Sequence, residues 1–166
     1  MIEAPLRVAP LVAAHDRTNF DSGSEPLDRS FRLQVSQDIR RRVTACFVAL
    51  TPEGRIAGYN TLASANLVLA DLPAATAKKL PRYPSVPAVR MGRLAADLGF
   101  RGQGLGSALL ADALDRAARA EIAAYALVVE AKDDPAATFY KHHDFIALPD
   151  SSMTLFLPLA TVNQAR

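Results

Sequence analysis

Two features of the 166-residue chain have the residue types and the spacing to do chemistry. The first is residues 94–110, LAADLGFRGQGLGSALL. An extended apolar piece, Val89–Ala96, breaks at Asp97 and crosses a turn carrying Gly102, Gly104 and Gly106 into an amphipathic run from Leu105 to Ala120. Glycine lets the backbone come close to a ligand. The unpaired N–H groups of a first helical turn point at that ligand with the positive end of the helix dipole, so strand, glycine loop and helix together read as an anion site. The plainer alternative is a glycine-rich turn that holds nothing. The second feature is Tyr140, one helix downstream. A phenol with a reference pKa of about 10 is protonated at neutral pH and can donate to a leaving group. The plainer alternative is a core tyrosine with its hydroxyl at the surface.

What the loop lacks narrows the anion. A P-loop framed on Gly99 and Gly104 would need Lys next, and Leu105 stands there. A dinucleotide fingerprint would want Gly or Ala three residues after Gly104, and Ser107 stands there, late in the chain rather than in an early βαβ unit. The pattern Arg101-x-x-Gly104-x-Gly106 instead resembles the pyrophosphate loop of the GNAT acyltransferases, whose ligand is acetyl-CoA. With a thioester donor, the group that Tyr140 would protonate is a departing thiolate. His142 and His143 are adjacent on a helix, point about 100° apart and cannot share one ligand. No Cys, His or Asp spacing resembles a zinc site, so no metal is expected. Cys46, the single cysteine, lies in an apolar run and reads as a buried bystander thiol. No Glu is placed as a strong general base.

The supporting elements follow from periodicity and punctuation. Leu105, Leu109, Ala113 and Ala117 recur every four residues and put one apolar face on the helix behind the loop. Thr44–Leu50 and Ile56–Leu67 read as strands joined by Thr51-Pro52-Glu53-Gly54, the pattern of a type I turn. Upstream, FDSGSEPLDRSFRLQVSQDIRRR predicts a helix with acids first, Arg40, Arg41 and Arg42 last, and a stripe of Leu27, Phe31 and Val35. The arginine run reads first as a solvated helix end. One short edge strand is expected around Leu6–Val8, a short helix over Leu72–Leu80 and an extended stretch set by Pro81, Pro84 and Pro87. Ala123–Val129 is an unbroken apolar run, as in a buried central strand. Asp133-Asp134-Pro135 starts the helix that carries Tyr140, and a strand or strand pair over Phe145–Leu159 closes the chain. The result is one α/β domain over residues 1–166 with a mixed, mostly antiparallel sheet flanked by helices.

Composition agrees with that class: half the residues are hydrophobic and 22% charged, with a net charge of +2 and a pI near 8.9. A nucleic-acid partner is permitted by this balance but not required. The start, MIEAPLRVAP, has no apolar core behind a basic segment, and no apolar run reaches spanning length, so a cytoplasmic protein with no membrane contact is expected.

From about Phe20 to Leu159 the chain resembles the GNAT toxins of bacterial type II toxin–antitoxin systems. The likeness is carried by FDSGSEPLD, GYNTLA, DLPAATAKKLPRYPSVPAV, GRLAADLGFRGQGLGSALLADAL, ALVVEAKDDPAATFYKHHDF and LFLPL. It implies a GNAT fold, acetyl-CoA as co-substrate, and a strand Leu94, Ala95 and Ala96 that bonds the pantetheine arm. It implies a pyrophosphate wrapped by Arg101, Gly102, Gly104, Leu105, Gly106 and Ser107, and Tyr140 as general acid. The implied substrate is the α-amine of an aminoacyl-tRNA, whose acetylation stops translation; a homodimer and a small ribbon-helix-helix antitoxin are the implied partners. An α-amine beside an ester is weakly basic, so such an enzyme can dispense with a strong base. Exposed Arg40, Arg41, Lys78, Lys79, Arg82, Arg90 and Arg93 are the candidates to grip tRNA phosphates. The chain departs from the family at Ala96, where Val is commoner, and at Asp144, where Gly is common; if that position needs a positive φ, Asp tolerates it better than most residues but worse than Gly. The alternatives are a GNAT enzyme for a small amine or a protein N-terminus, and a CoA-binding module without catalysis.

Overall fold

Strand pairing is the frame on which the candidate residues sit. A computed structural model describes residues 6–164. Residues 1–5 and 165–166, the ends of the domain expected over 1–166, lie outside the described residues, as does the first half of the N-terminal stretch MIEAPLRVAP. Seven strands form one mixed sheet in the order β1-β2-β3-β4-β5-β7-β6. They are β1 (Arg7–Pro10), β2 (Ala45–Leu50), β3 (Ile56–Val68), β4 (Ser85–Ala96), β5 (Ala126–Glu130), β6 (Ile146–Leu148) and β7 (Ser151–Pro158). The β4–β5 pair is parallel, while β1–β2, β2–β3, β5–β7 and β6–β7 are antiparallel. The helices are α1 (Glu25–Arg29), α2 (Val35–Arg40), α3 (Ala74–Ala77), α4 (Leu105–Arg119), α5 (Asp134–His142) and α6 (Leu159–Gln164). Among the described residues no helix is long and apolar enough to cross a membrane.

The chain divides into two compact units, and β3, β4 and α4 each run from one into the other. The first unit holds the residues up to Ala63 and Gly92–Ala113. Its hairpin is the expected one: Gly54 N–H donates to Thr51 O at 2.9 Å, and Gly54 takes a φ of +85° that closes the turn. The predicted helix stripe is real, with Phe31 and Val35 fully buried, but the helix is not uniform. Between α1 and α2, Ser30–Gln34 forms a π-helical turn in which Val35 N–H bonds Ser30 O, five residues back. Phe31 stacks on Tyr59 with ring centroids 4.2 Å apart, and Phe20 meets both edge-on. A second cluster packs Leu105 and Leu109 of α4 on Ala49 and Ala57. Gly58 permits this approach: a Cβ there would lie 2.8 Å from Ala95 O and 2.9 Å from Leu109 Cδ1.

The second unit holds Ser64–Met91 and the residues from Leu114 onward. Its core gathers Leu67, Leu72, Val86, Ala88, Ala126, Val128, Leu148 and Phe156. Three expectations are corrected here. The helix predicted over Leu72–Leu80 is only Ala74–Ala77, because Pro73 holds an extended ψ of 142° and delays its start. The closing segment is a strand pair followed by α6, which the polar sequence after Leu159 did not suggest. Ala123–Tyr125 precede β5, which starts at Ala126. At the N-terminus, in the first unit, the edge strand expected around Leu6–Val8 starts one residue later and ends two later, as Arg7–Pro10.

Candidate active site

The first unit builds the loop from the end of β4. Pairing between β4 and β5 runs from Ala88↔Ala126 to Met91↔Val129, so Gly92–Ala96 continue past that ladder. Ala95 is buried, while Leu94 and Ala96 are half-buried. Asp97 then ends the strand and caps a 3-10 turn, Leu98–Phe100, by accepting the Gly99 N–H on Oδ1 at 2.9 Å. Arg101 returns to extended backbone, and Gly102 and Gly104 both take φ +76°. Nothing lies within 4 Å of where a Cβ would stand at either glycine, so the loop is open on that side. The first ladder bond of the fifteen-residue α4 runs from Ala108 N–H to Gly104 O at 3.1 Å. The amides of Leu105 and Gly106 therefore precede the intrahelical ladder at the positive end of the dipole. Left-handed glycines, open space and a long helix start suit a diphosphate.

A buried polar network fixes this loop, and the sequence hinted at it only as a strand break. Asp97 is 4% exposed. Its Oδ2 accepts the Asp21 N–H at 3.1 Å and its Oδ1 also accepts Arg55 Nη2 at 3.3 Å. Leu98 N–H donates back to Asp21 O at 2.8 Å, and Arg101 Nη2 donates to Ser22 O at 2.8 Å. Ser22 in turn gives both its N–H and its hydroxyl to the carboxylate of Asp28, which is also buried. Gly23 sits at φ +86°, where a Cβ would press on Arg101 and Leu98. The FDSG stretch is thus the clamp of the glycine loop. One nitrogen of the Arg101 guanidinium, Nη2, belongs to that clamp, and the residue is otherwise exposed beside the loop. Asp97, Asp28, Ser22 and Arg55 were not among the expected site residues; the one signal for them was the FDSG…LD spacing.

The second unit carries Tyr140 on α5. Asp133 caps the helix by accepting Ala136 N–H at 2.9 Å, with Pro135 in the first turn. At the other end, Phe145 N–H reaches Tyr140 O and Asp144 N–H reaches Lys141 O, a Schellman closure with Asp144 at φ +72°. The position does need a positive φ, and Asp144 adopts it. The ring contact that accompanies such a closure is Tyr140 against Phe145, centroids 5.5 Å apart. Tyr140 is 7% exposed, and burial pushes its phenol up to about 12. It stays protonated throughout the neutral range. Among the described residues its hydroxyl has no hydrogen-bond partner. His142 is exposed in the last turn and His143 caps it, edge-on to Phe139.

The basic candidates divide between the units. Arg40 and Arg41 are exposed at the end of α2 in the first unit, where Arg93 is half-buried. Lys78, Lys79 and Arg82 are exposed in the second unit, and Arg90 there is paired with Glu130 at 3.2 Å. Burial pushes the Cys46 thiol up to about 12, so it is no nucleophile at neutral pH. Among the described residues no group of three or more His, Cys, Asp or Glu side chains is arranged to hold a metal ion.

Known proteins resemble this chain over most of its length. The sequence pattern of the Acetyltransferase (GNAT) family matches residues 11–145. A tRNA-acetylating toxin of Mycobacterium tuberculosis is 36% identical over 156 residues, covering 93% of this chain and 90% of the relative. Among solved structures, AtaT complexed with acetyl-methionyl-tRNAfMet superposes with a TM-score of 0.89 at 31% identity, covering 97% of this chain and 99% of AtaT. A tyrosine-to-phenylalanine mutant of KacT gives 0.90 at 29% identity, with the same coverage. Further AtaT structures hold acetyl-CoA or the C-terminus of the antitoxin AtaR, and KacTA has been solved with DNA. With the family pattern spanning the glycine loop and Tyr140 alike, the chain belongs to the acetyltransferase (GNAT) family.

Proposed function

We propose that the protein is an acetyl-CoA-dependent N-acetyltransferase that acetylates the α-amine of aminoacyl-tRNA and so blocks translation as a toxin. The observation that carries this reading is the full-length likeness to AtaT in complex with its acetylated methionyl-tRNA. The 36% identity to a tRNA-acetylating toxin supports it independently. Acetyl-CoA supplies the acetyl thioester. Gly102, Gly104, Leu105, Gly106 and Ser107, with the backbone of Arg101, hold its pyrophosphate; Leu94, Ala95 and Ala96 orient the thioester arm through their strand edge.

The acceptor amine attacks the thioester carbonyl carbon, the C–S bond breaks, and the amine proton passes to water. Tyr140 gives its phenolic proton to the departing sulfur and is reprotonated from solvent. An α-amine with a pKa near 8 is already partly unprotonated, so no carboxylate base is needed. Arg40, Arg41, Lys78, Lys79 and Arg82 are the exposed groups that grip tRNA phosphates, with Arg90 and Arg93 contributing less because one is ion-paired and the other half-buried. The whole chain, residues 1–166, works as one GNAT domain, as a cytoplasmic homodimer. Its further partner is a cognate antitoxin, a small DNA-binding ribbon-helix-helix protein; the AtaT structure with the C-terminus of the antitoxin AtaR supports an antitoxin partner as such.

The test incubates purified protein with labelled acetyl-CoA and a charged total-tRNA pool, beside Tyr140→Phe. Label is expected on aminoacyl-tRNA, falling at least about 100-fold in the variant while acetyl-CoA affinity is kept. No label on tRNA with acetyl-CoA still bound would transfer the activity to a small-molecule or protein amine. Equal rates would remove Tyr140 from the reaction.

A further inference from the structure

We propose that Arg17 and Arg32 form a preorganised notch for an RNA backbone phosphate, an assignment that rests on the aminoacyl-tRNA reading. Both residues lie in the first unit and line, with His15, Asp16 and Thr18, a cleft of about 330 Å³. Each residue is half-buried, with its guanidinium fixed by one donor: Arg17 Nη1 to Phe31 O at 2.9 Å, and Arg32 Nη1 to Phe20 O at 2.9 Å. Arg17 also lies over the Phe31 ring at 5.8 Å. A guanidinium has five donors, so four on each remain for a ligand. Among the described residues neither arginine has a carboxylate partner.

The π-helical turn explains why this pair is held where it is. Because Val35 N–H bonds Ser30 O, it does not bond Phe31 O four residues back, and Arg17 takes that carbonyl instead. Arg32 lies in the same turn. Such turns inside helices are frequent at functional sites. The arginines are therefore ordered before a ligand arrives, and little side-chain entropy is lost on binding.

The lining also indicates the ligand. His15 accepts the Val12 N–H on Nδ1, which leaves Nε2–H as a donor. The Asp16 carboxylate is turned to its own backbone, accepting Thr18 N–H at 2.9 Å. Two arginines against one aspartate leave the cleft cationic. All five lining residues are polar or charged, so the cleft favours charge recognition without sequence, as in a phosphodiester contact. The larger cleft of about 540 Å³ in the same unit has Asp16, Glu53 and Asp97 against Arg55 and suits no anion.

The test measures binding of deacylated total tRNA across salt for the wild type, Arg17→Gln, Arg32→Gln and Thr18→Glu, with acetyl-CoA affinity measured separately. Thr18→Glu leaves both carbonyl bonds in place and brings a carboxylate into the cleft, so it reads the notch even if a glutamine variant folds poorly. Each glutamine variant is expected to lose about 5–10-fold in tRNA affinity near 0.1 M salt and about one unit of the log–log salt slope. Thr18→Glu is expected to weaken tRNA at least as much, with acetyl-CoA affinity unchanged throughout. Unaltered tRNA affinity and slope in Thr18→Glu would overturn the notch alone. Weakened acetyl-CoA with unaltered tRNA would overturn it too, by giving the phosphate to the nucleotide of CoA. A wild type that binds no tRNA would overturn the tRNA reading and the notch with it.

Discussion

Asp144 occupies the left-handed position that closes α5, φ +72°, one residue before the ring that packs on Tyr140. A side chain there carries steric strain that glycine does not, partly offset by the greater freedom glycine regains on unfolding. Asp144→Gly is therefore expected to raise stability by about 0.5–1 kcal/mol in urea melts, with transfer activity unchanged because the Tyr140–Phe145 contact is kept. A loss of stability would mean that the Asp144 carboxylate makes a contribution its backbone role does not explain. The same closure sets the state of Tyr140. The ring is packed at its helix end by Phe145 and flanked by Phe139 at 5.3 Å, and it is this burial that lifts the phenol to about 12. A raised pKa makes a weaker acid but guarantees that the proton is present, which is what a departing thiolate requires at neutral pH.

The element that matters most is the turn between β4 and α4, and Asp97 is its pivot. Its two oxygens accept from Asp21 N–H, Gly99 N–H and Arg55, three donors that no neutral amide can satisfy together. In Asp97→Asn one oxygen becomes an NH₂ facing a donor. The 3-10 turn and the FDSG clamp then come apart locally, while the positive-φ glycines and α4 stay. The expected outcome is a KM for acetyl-CoA raised about 10-fold with kcat within about threefold, read from initial rates; a lowered kcat at unchanged KM would place Asp97 in the chemistry instead. Sequence legibility divides along the same line. The α4 face of Leu105, Leu109, Ala113 and Ala117 was readable because burial follows helical period, and all four are buried. The β2–β3 hairpin was readable because Pro52 and Gly54 have turn chemistry. The Arg101 bond that clamps the FDSG stretch and the Arg17 and Arg32 anchors were not, because they join side chains to carbonyls 12 to 79 residues away and leave no periodic trace; nor was the π turn, a local backbone bond of five residues that the apolar stripe does not mark. The extent of α3 was misjudged because the apolar pattern outran the veto of Pro73.

At the scale of the whole molecule, the buried ionisable groups set a limit on the alkaline side. Burial raises Cys46 from 9.0 to about 12, Tyr140 from 10.0 to about 12, and Tyr59 further still, its hydroxyl being held by Leu27 O at 2.9 Å. In each case the folded pKa lies above the unfolded one, so the folded state holds its proton more tightly. The stability this contributes is fully present below pH 9 and is lost as pH rises through 9 to 12, first through Cys46 and then through the tyrosines. At pH 10.5 the Cys46 contribution alone amounts to a loss of roughly 2 kcal/mol. Urea midpoints are therefore expected to hold between pH 7 and 8.5 and to fall steeply above pH 9.5. Cys46→Ala, which has no thiol to ionise, is expected to start lower by about 1 kcal/mol at pH 7 for the small cavity and to decline later. The two curves should approach or cross near pH 10. Curves that stay parallel from pH 7 to 11 would show that the thiol is not what makes the fold alkali-sensitive, and would transfer the effect to Tyr59 and Tyr140, where Tyr59→Phe separates them.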